Sequence, residues 1–322
     1  MISLKRFSLF TFAILLTAMC AATYVPAQQP PLAIKPIRPS QKASVMQTIG
    51  VTDITITYSR PAVKGRTIFA EPPASMNERA KGEATLDNQN DRKPGEPIVP
   101  YNHLWRAGAN EATMFVVTDD VLINGQPLKA GTYSLHAVPG KDEWTIVFNN
   151  DAGQWGSFQY DDKKDALRVK TKPQTVSDNQ ELLAFNFDPI SENSATVNIR
   201  WEKVRVPFTV EVKDVKAVWR AKADALIAAN PTSDVLPLQV AQTYLGDKNY
   251  VEALKFVDQS IKVKETFQNL RAKANILWAS GKKEEALTVG DAAIAKGKAD
   301  KVNAQALATF EKRVADMKAG KL

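Results

Sequence analysis

The 322-residue chain is poor in the residues that build common reactive centres: it has one cysteine, Cys20, and two histidines, His103 and His136. A lone cysteine closes no disulfide within the chain, so an ordinary apolar core must hold the fold. Two histidines fall short of the three or four ligands of a usual zinc site. The sequence also lacks a phosphate loop, a dinucleotide fingerprint and a nucleophile elbow, so no metal and no cofactor is expected. Long apolar runs are scarce too. The single one, from Phe7 to about Cys20, is shorter than the ~20 residues that span a bilayer. No nucleic-acid-binding motif accompanies the formal charge of +7, and no nucleic-acid partner is expected.

That one apolar run has a specific context. Lys5 and Arg6 precede it, and Val25-Pro26-Ala27 follows with compact residues just before Gln28. A basic start, an apolar middle and such a site predict a secretory signal over residues 1–27, cleaved near Ala27. An uncleaved anchor is the bland alternative. A lipoprotein reading of Cys20 is weaker, because Met19 is not the small residue that chemistry prefers. Cleavage after Ala27 leaves no cysteine and no transmembrane segment. The mature protein is then expected outside the cytoplasm, in the periplasm or beyond.

Charge is divided unevenly. Residues 28–214 carry 22 basic and 23 acidic side chains, a net of −1, whereas residues 215–322 carry 18 and 12, a net of +6. The excess could suit an anionic partner, but a solvated Lys-rich helical surface is the favoured reading.

Hydrophobic periodicity changes at the same point. Residues 28–43, rich in Gln, Pro and Lys, read as a linker. From Ser44 to Lys213 the period is two. Ile54, Ile56 and Tyr58 alternate with Thr55 and Thr57 in a half-buried strand. Further strands are predicted at 112–118, 131–138, 143–148, 166–171, 181–187, 195–201 and 204–212, with Asn124-Gly125 as a turn. The pattern predicts an antiparallel β-sandwich. Residues 71–100 interrupt it: they are polar, rich in Pro and charge, and predict a flexible insertion dispensable for folding.

After Asp214 the period approaches four. Helices are predicted at 215–229, VLPLQVAQTYLG, YVEALKFVDQSIKV, FQNLRAKANILWAS, KKEEALTVGDAAIAKG and 301–318. Ala272, Ala274, Gly281, Ala286 and Leu287 place small residues where paired helices approach. Here residues 214–322 resemble tetratricopeptide repeats, which implies stacked hairpins with a concave face for a protein or peptide partner, or a module packed on the sandwich.

Several uncommon strings occur in order within the β region: SVMQTIG at 44–50, ITYSRPAVKGRTIF at 56–69, LWRAGANEAT at 104–113, LKAGTYSLHAVPG at 128–140, WTIVFN at 144–149 and WGSFQYDDKKDALRV at 155–169. On these strings residues 44–213 resemble the family called domain of unknown function 2911. The resemblance implies an exported β domain and carries no activity with it. The stretch 71–100 reads as a departure, because the family passes quickly from the IF segment to the WR segment.

The chemistry concentrates in two bends. WRAGANEAT offers the flat face of Trp105, the donors of Arg106, the amide of Asn110 and the carboxylate of Glu111. SRPAVKGR adds Arg60 and Arg66. Arg60, Arg66, Trp105, Arg106, Asn110 and Glu111 therefore form the candidate ligand site, suited to a sugar or a carboxylated ligand. The structural alternative pairs Arg106 with Glu111 over a buried Trp105. Asp161-Asp162 reads as a solvated turn. No residue is assigned a catalytic role. The leading expectation is a non-catalytic envelope protein that binds a protein or glycan partner. The alternative is a periplasmic hydrolase of envelope glycans, with Glu111 and a second carboxylate about 5–10 Å away.

Overall fold

The computed structural model describes residues 37–73, 87 and 93–322. The expected signal segment lies outside the described residues, as does most of the linker. From Pro39 to the C-terminus the chain is one compact unit, with strands first and helices after.

Among the described residues twelve strands precede the helices. β1 (Gln41–Ile49), β2 (Thr52–Arg60), β5 (Thr113–Val117), β8 (Gly131–Val138), β9 (Trp144–Asn149) and β10 (Asp165–Thr171) form one antiparallel sheet in that order. β11 (Gln174–Ser191), β12 (Ser194–Glu211), β6 (Val121–Ile123) and β7 (Gln126–Leu128) form a second, in the order β11-β12-β6-β7. Alternation predicts which side chains turn inward, and Ile54, Ile56 and Tyr58 are indeed buried. The two sheets share one core: Tyr58 meets Phe185 edge-on at 4.7 Å, and Phe148 meets Phe208 at 6.0 Å. This is the antiparallel sandwich that the short strands and turns predict.

The differences from the expected elements are local. Residues 41–43, placed in the linker, belong to β1, where Gln41 pairs with Arg60. The break expected near residue 203 is an irregularity inside one long strand. Glu202 takes a left-handed φ of 54°, and β12 continues through it. Within 71–100, Val99–Pro100 is a short strand, β4, parallel to β3 (Phe69–Ala70). Asp87 is buried. Residues 74–86 and 88–92 of the expected flexible stretch lie outside the described residues.

Six helices follow: α1 (Val215–Ala229), α2 (Val235–Gly246), α3 (Tyr250–Val263), α4 (Phe267–Ala279), α5 (Lys283–Ala299) and α6 (Ala304–Lys318). Caps account for their starts. Asp214, Asn249, Thr266 and Asn303 each accept a backbone N–H of the first turn, and Thr266 with Asn269 closes a capping box. Ala253, Ala274, Ala286 and Ala293 are fully buried, so neighbouring helices approach closely. Gly281, at φ 85°, makes the turn between α4 and α5. None of the helices among the described residues is long and apolar enough to cross a membrane.

α1 is pinned to the sandwich. Val215 and Val218 pack on the sandwich core. Gly50 lies so close that an added Cβ would stand 2.1 Å from Val215 Cγ1. Lys222 donates to the carbonyl of Val51 at 2.7 Å and pairs with Asp119 at 2.7 Å. These contacts are half-exposed, so Lys222→Met is expected to cost about 1 kcal/mol. The sharper readout is local: backbone amides of 215–229 should exchange faster while the β-sheet amides stay protected. Unchanged exchange in α1 would mean that the apolar contacts alone seat the helix.

Candidate functional site

The bend after β4 is built on Trp105. Its backbone exchanges two hydrogen bonds with Ala137 of β8, each 2.8 Å, so the indole enters the core at 2% exposure. The ring lies nearly parallel to Trp201 at 5.8 Å, and its Nε1 donates to the Gly108 carbonyl at 3.0 Å. The chain then reverses through Ala107 and Asn110, both left-handed at φ 50° and 60°. Asn tolerates that region better than most residues. Gly108 is required for proximity, since a Cβ there would meet Thr113 Oγ1 at 2.9 Å and the Ser59 carbonyl at 3.2 Å.

Arg106 is locked by this reversal. One Nη donates to the Asn110 carbonyl at 2.7 Å, and the other pairs with Asp87 at 2.9 Å. Asp87 also accepts the backbone N–H and the hydroxyl of Ser157, each at 2.6 Å. Burial lowers the Arg106 pKa, and the charge of Asp87 opposes that shift. Gly156 completes the clasp. It is left-handed at φ 62°, donates to the Asn110 carbonyl at 3.0 Å, and leaves room where a Cβ would sit 2.8 Å from Asp87 and 2.9 Å from Arg106.

The expected Arg106–Glu111 pairing is therefore replaced by Arg106–Asp87. The physical reason is the tight left-handed reversal: it folds the guanidinium back onto Asn110, while Glu111 leaves along a bridge to Trp155. Asn110 joins the cluster through its carbonyl. Its amide donates to the Ser40 carbonyl at 3.1 Å and to Ser59 at 3.2 Å. Arg60 serves the sandwich, donating to the Leu183 carbonyl of β11 at 2.8 Å. Arg66 is exposed and bends over its own loop, donating to the carbonyls of Ala62 at 2.6 Å and Val63 at 3.1 Å.

Of the six candidates, Arg66, Trp105 and Arg106 line one cleft of about 280 Å³, with Lys64, Ile98 and Trp201 among the other walls. That volume is near the lower end for small-molecule sites. The lining is cationic and apolar, and none of its described residues is acidic. Among the described residues, no three His, Cys, Asp or Glu side chains converge as a metal site. Both histidines are buried: His103 Nδ1 lies 2.8 Å from the Tyr101 carbonyl, and His136 Nε2 lies 3.1 Å from Ser134 Oγ. Sequence reasoning missed Asp87, Ser157, Lys64 and Trp201. Asp87 and Ser157 carry no local signal, because their partners are remote in sequence. Lys64 was legible, standing inside SRPAVKGR.

The class defined by these features is a β-sandwich with an appended helical array and a small basic cleft at the sandwich's edge. The chain matches the family model described as "Protein of unknown function (DUF2911)" over residues 40–81 and 85–210, and it belongs to that family. The match includes 71–81 and 85–100, so the stretch read as a departure from the family narrows to residues 82–84. No curated protein and no solved structure matches the chain.

Proposed function

We propose that this chain is an exported, non-catalytic binding module that holds a glycan in the cleft beside Trp105. The observation that carries this reading is the lining: Lys64, Arg66 and Arg106 surround apolar walls that include Trp105 and Trp201. Trp105 and Trp201 are core residues that present little ring face, so the cations beside these apolar walls suit the hydroxyls and acids of sugars. Glycoside hydrolysis needs two carboxylates flanking the scissile bond, and none of the described lining residues is a carboxylate. The hydrolase reading therefore draws no support from this cleft. Export rests on the N-terminal sequence, and the N-terminal mass of protein recovered from the envelope reads it, with Gln28 as the expected first residue.

Glycan-array binding of the mature chain, followed by calorimetric titration of the best ligand, tests the reading. Arg66→Gln is expected to weaken binding by about tenfold or more, roughly 1.4 kcal/mol. Its effect on folding stability should stay near the ~0.5 kcal/mol of a surface change. Wild-type affinity in the variant, or no glycan bound at all, sinks the proposal.

A second surface favours a protein partner. A groove of about 450 Å³ in the helical array sets Leu245, Ala272 and Phe310 beside Arg271, Asn275 and Arg313. An apolar floor with cationic walls suits an acidic peptide, as the tetratricopeptide-like plan of the helices suggests.

A further inference from the structure

The cleft beside Trp105 does not end at Arg66. A second cleft of about 460 Å³ is lined by Gly65, Arg66, Thr67, Lys93 and Ile98, among others, so Arg66 and Ile98 border both. Backbone geometry holds this shared wall in place. Ile98 donates to the Thr67 carbonyl at 3.0 Å and Val99 to the Ile68 carbonyl at 2.8 Å, which keeps 96–100 alongside 66–70. Lys64 and Gly65 turn the opposite rim in the left-handed region, at φ 48° and 67°.

The charges along this path are unbalanced. Arg106 is matched by Asp87. Arg66 donates to two carbonyls. Among the described residues the side chains of Lys64, Arg66 and Lys93 have no ion-pair partner, and Glu181 accepts only the backbone N–H of Lys64, at 2.9 Å. The one acid lining either cleft, Glu96, accepts the backbone N–H of Lys93 at 2.7 Å and closes a local turn. With Glu96 and Glu181 each held on a backbone N–H, a neutral ligand leaves these three side chains without an ion pair among the described residues, whereas an acidic one adds charge-assisted hydrogen bonds.

We propose that the two clefts form one groove for an acidic oligosaccharide longer than a single sugar. One acidic group meets Lys64 and Arg66, and another, on a following sugar, meets Lys93. This rests on the glycan-binding reading above and adds to it both the charge and the length of the ligand.

The test titrates the mature chain with galacturonic acid, its linear trimer, and the same trimer as its neutral methyl ester. The trimer should bind about tenfold or more tighter than either the monomer or the ester, and salt should weaken it. Lys93→Gln should bring the trimer to the affinity of the monomer and leave the monomer unchanged. Lys64→Asn, which keeps a residue tolerant of left-handed backbone, should weaken both. Equal affinity for trimer and ester overturns the acidic-ligand inference while leaving glycan binding intact. Equal affinity for trimer and monomer, or wild-type behaviour of Lys93→Gln, overturns the extended groove. No binding of any sugar overturns this inference, and an empty glycan array then overturns the reading beneath it.

Discussion

Arg106→Ala should cost about 3 kcal/mol or more in unfolding free energy. The partner it abandons is Asp87, whose side chain is only 4% exposed. Removing one member of a buried pair leaves the other charge without compensation, typically at ~3–5 kcal/mol. Two hydrogen bonds from Ser157 remain to Asp87, which sets the expectation at the lower end. The loss should be partly reversed by a second change, Asp87→Asn, because the orphaned charge disappears with it. Arg106→Lys keeps the charge but not the fork that spans Asp87 and the Asn110 carbonyl, so it should fall between. Urea unfolding of the four proteins measures this. A loss below about 1 kcal/mol for Arg106→Ala would mean that the pair behaves as a solvated surface bridge, and that the 106–110 bend is held by its backbone alone.

The second large effect depends on pH. His136 is fully buried on β8, with Nε2 at 3.1 Å from Ser134 Oγ and its ring edge-on to Tyr160 at 5.1 Å. Burial pushes its pKa down from 6.5 to about 4; Asp87 pulls it up and Arg106 pushes it further down, both by smaller amounts. The folded state therefore holds the neutral ring, while the unfolded chain takes up a proton near pH 6.5. The stability contributed is fully present above pH 6.5 and is lost as the pH falls toward 4, at about 1.4 kcal/mol per pH unit. Over the whole window the loss is about 3 kcal/mol. The comparison is between wild type and His136→Gln, by urea unfolding at pH 7 and pH 4.5. The variant starts less stable, and its stability should fall more gently over that interval by roughly 2–3 kcal/mol. Parallel slopes would show that His136 reaches water and titrates normally.

Much of the fold is legible without coordinates because it is written locally. Ile54, Ile56 and Tyr58 alternate, and the strand they predict forms with those three residues inside. VLPLQVAQTYLG and YVEALKFVDQSIKV coincide with α2 and α3, because period-four apolar spacing, Asn249 as a cap and the 247–249 turn act over a few residues. The candidate site divides along the same line. Trp105 and Arg106 stand out in one bend and Arg66 in another, and their side-chain chemistry already marks them. That Arg60 belongs to the sandwich is not readable, because its acceptor is the Leu183 carbonyl, which is remote in sequence. Proximity in sequence matches Glu111 to Arg106. That criterion fails when two left-handed residues reverse the chain between them.

The sequence by itself determined the two-part organisation, the antiparallel sandwich, the six helices and the residue types gathered near the cleft. Each follows from periodicity, capping and turn chemistry, which act between near neighbours. Only the tertiary structure decided that Asp87 answers Arg106, that Gly156 makes room for that pair, and that Arg66 stands between two clefts. These outcomes depend on segments far apart in the chain meeting within a few ångströms. No local pattern encodes such meetings, because they are set by how the sheets pack and where the loops between them are carried.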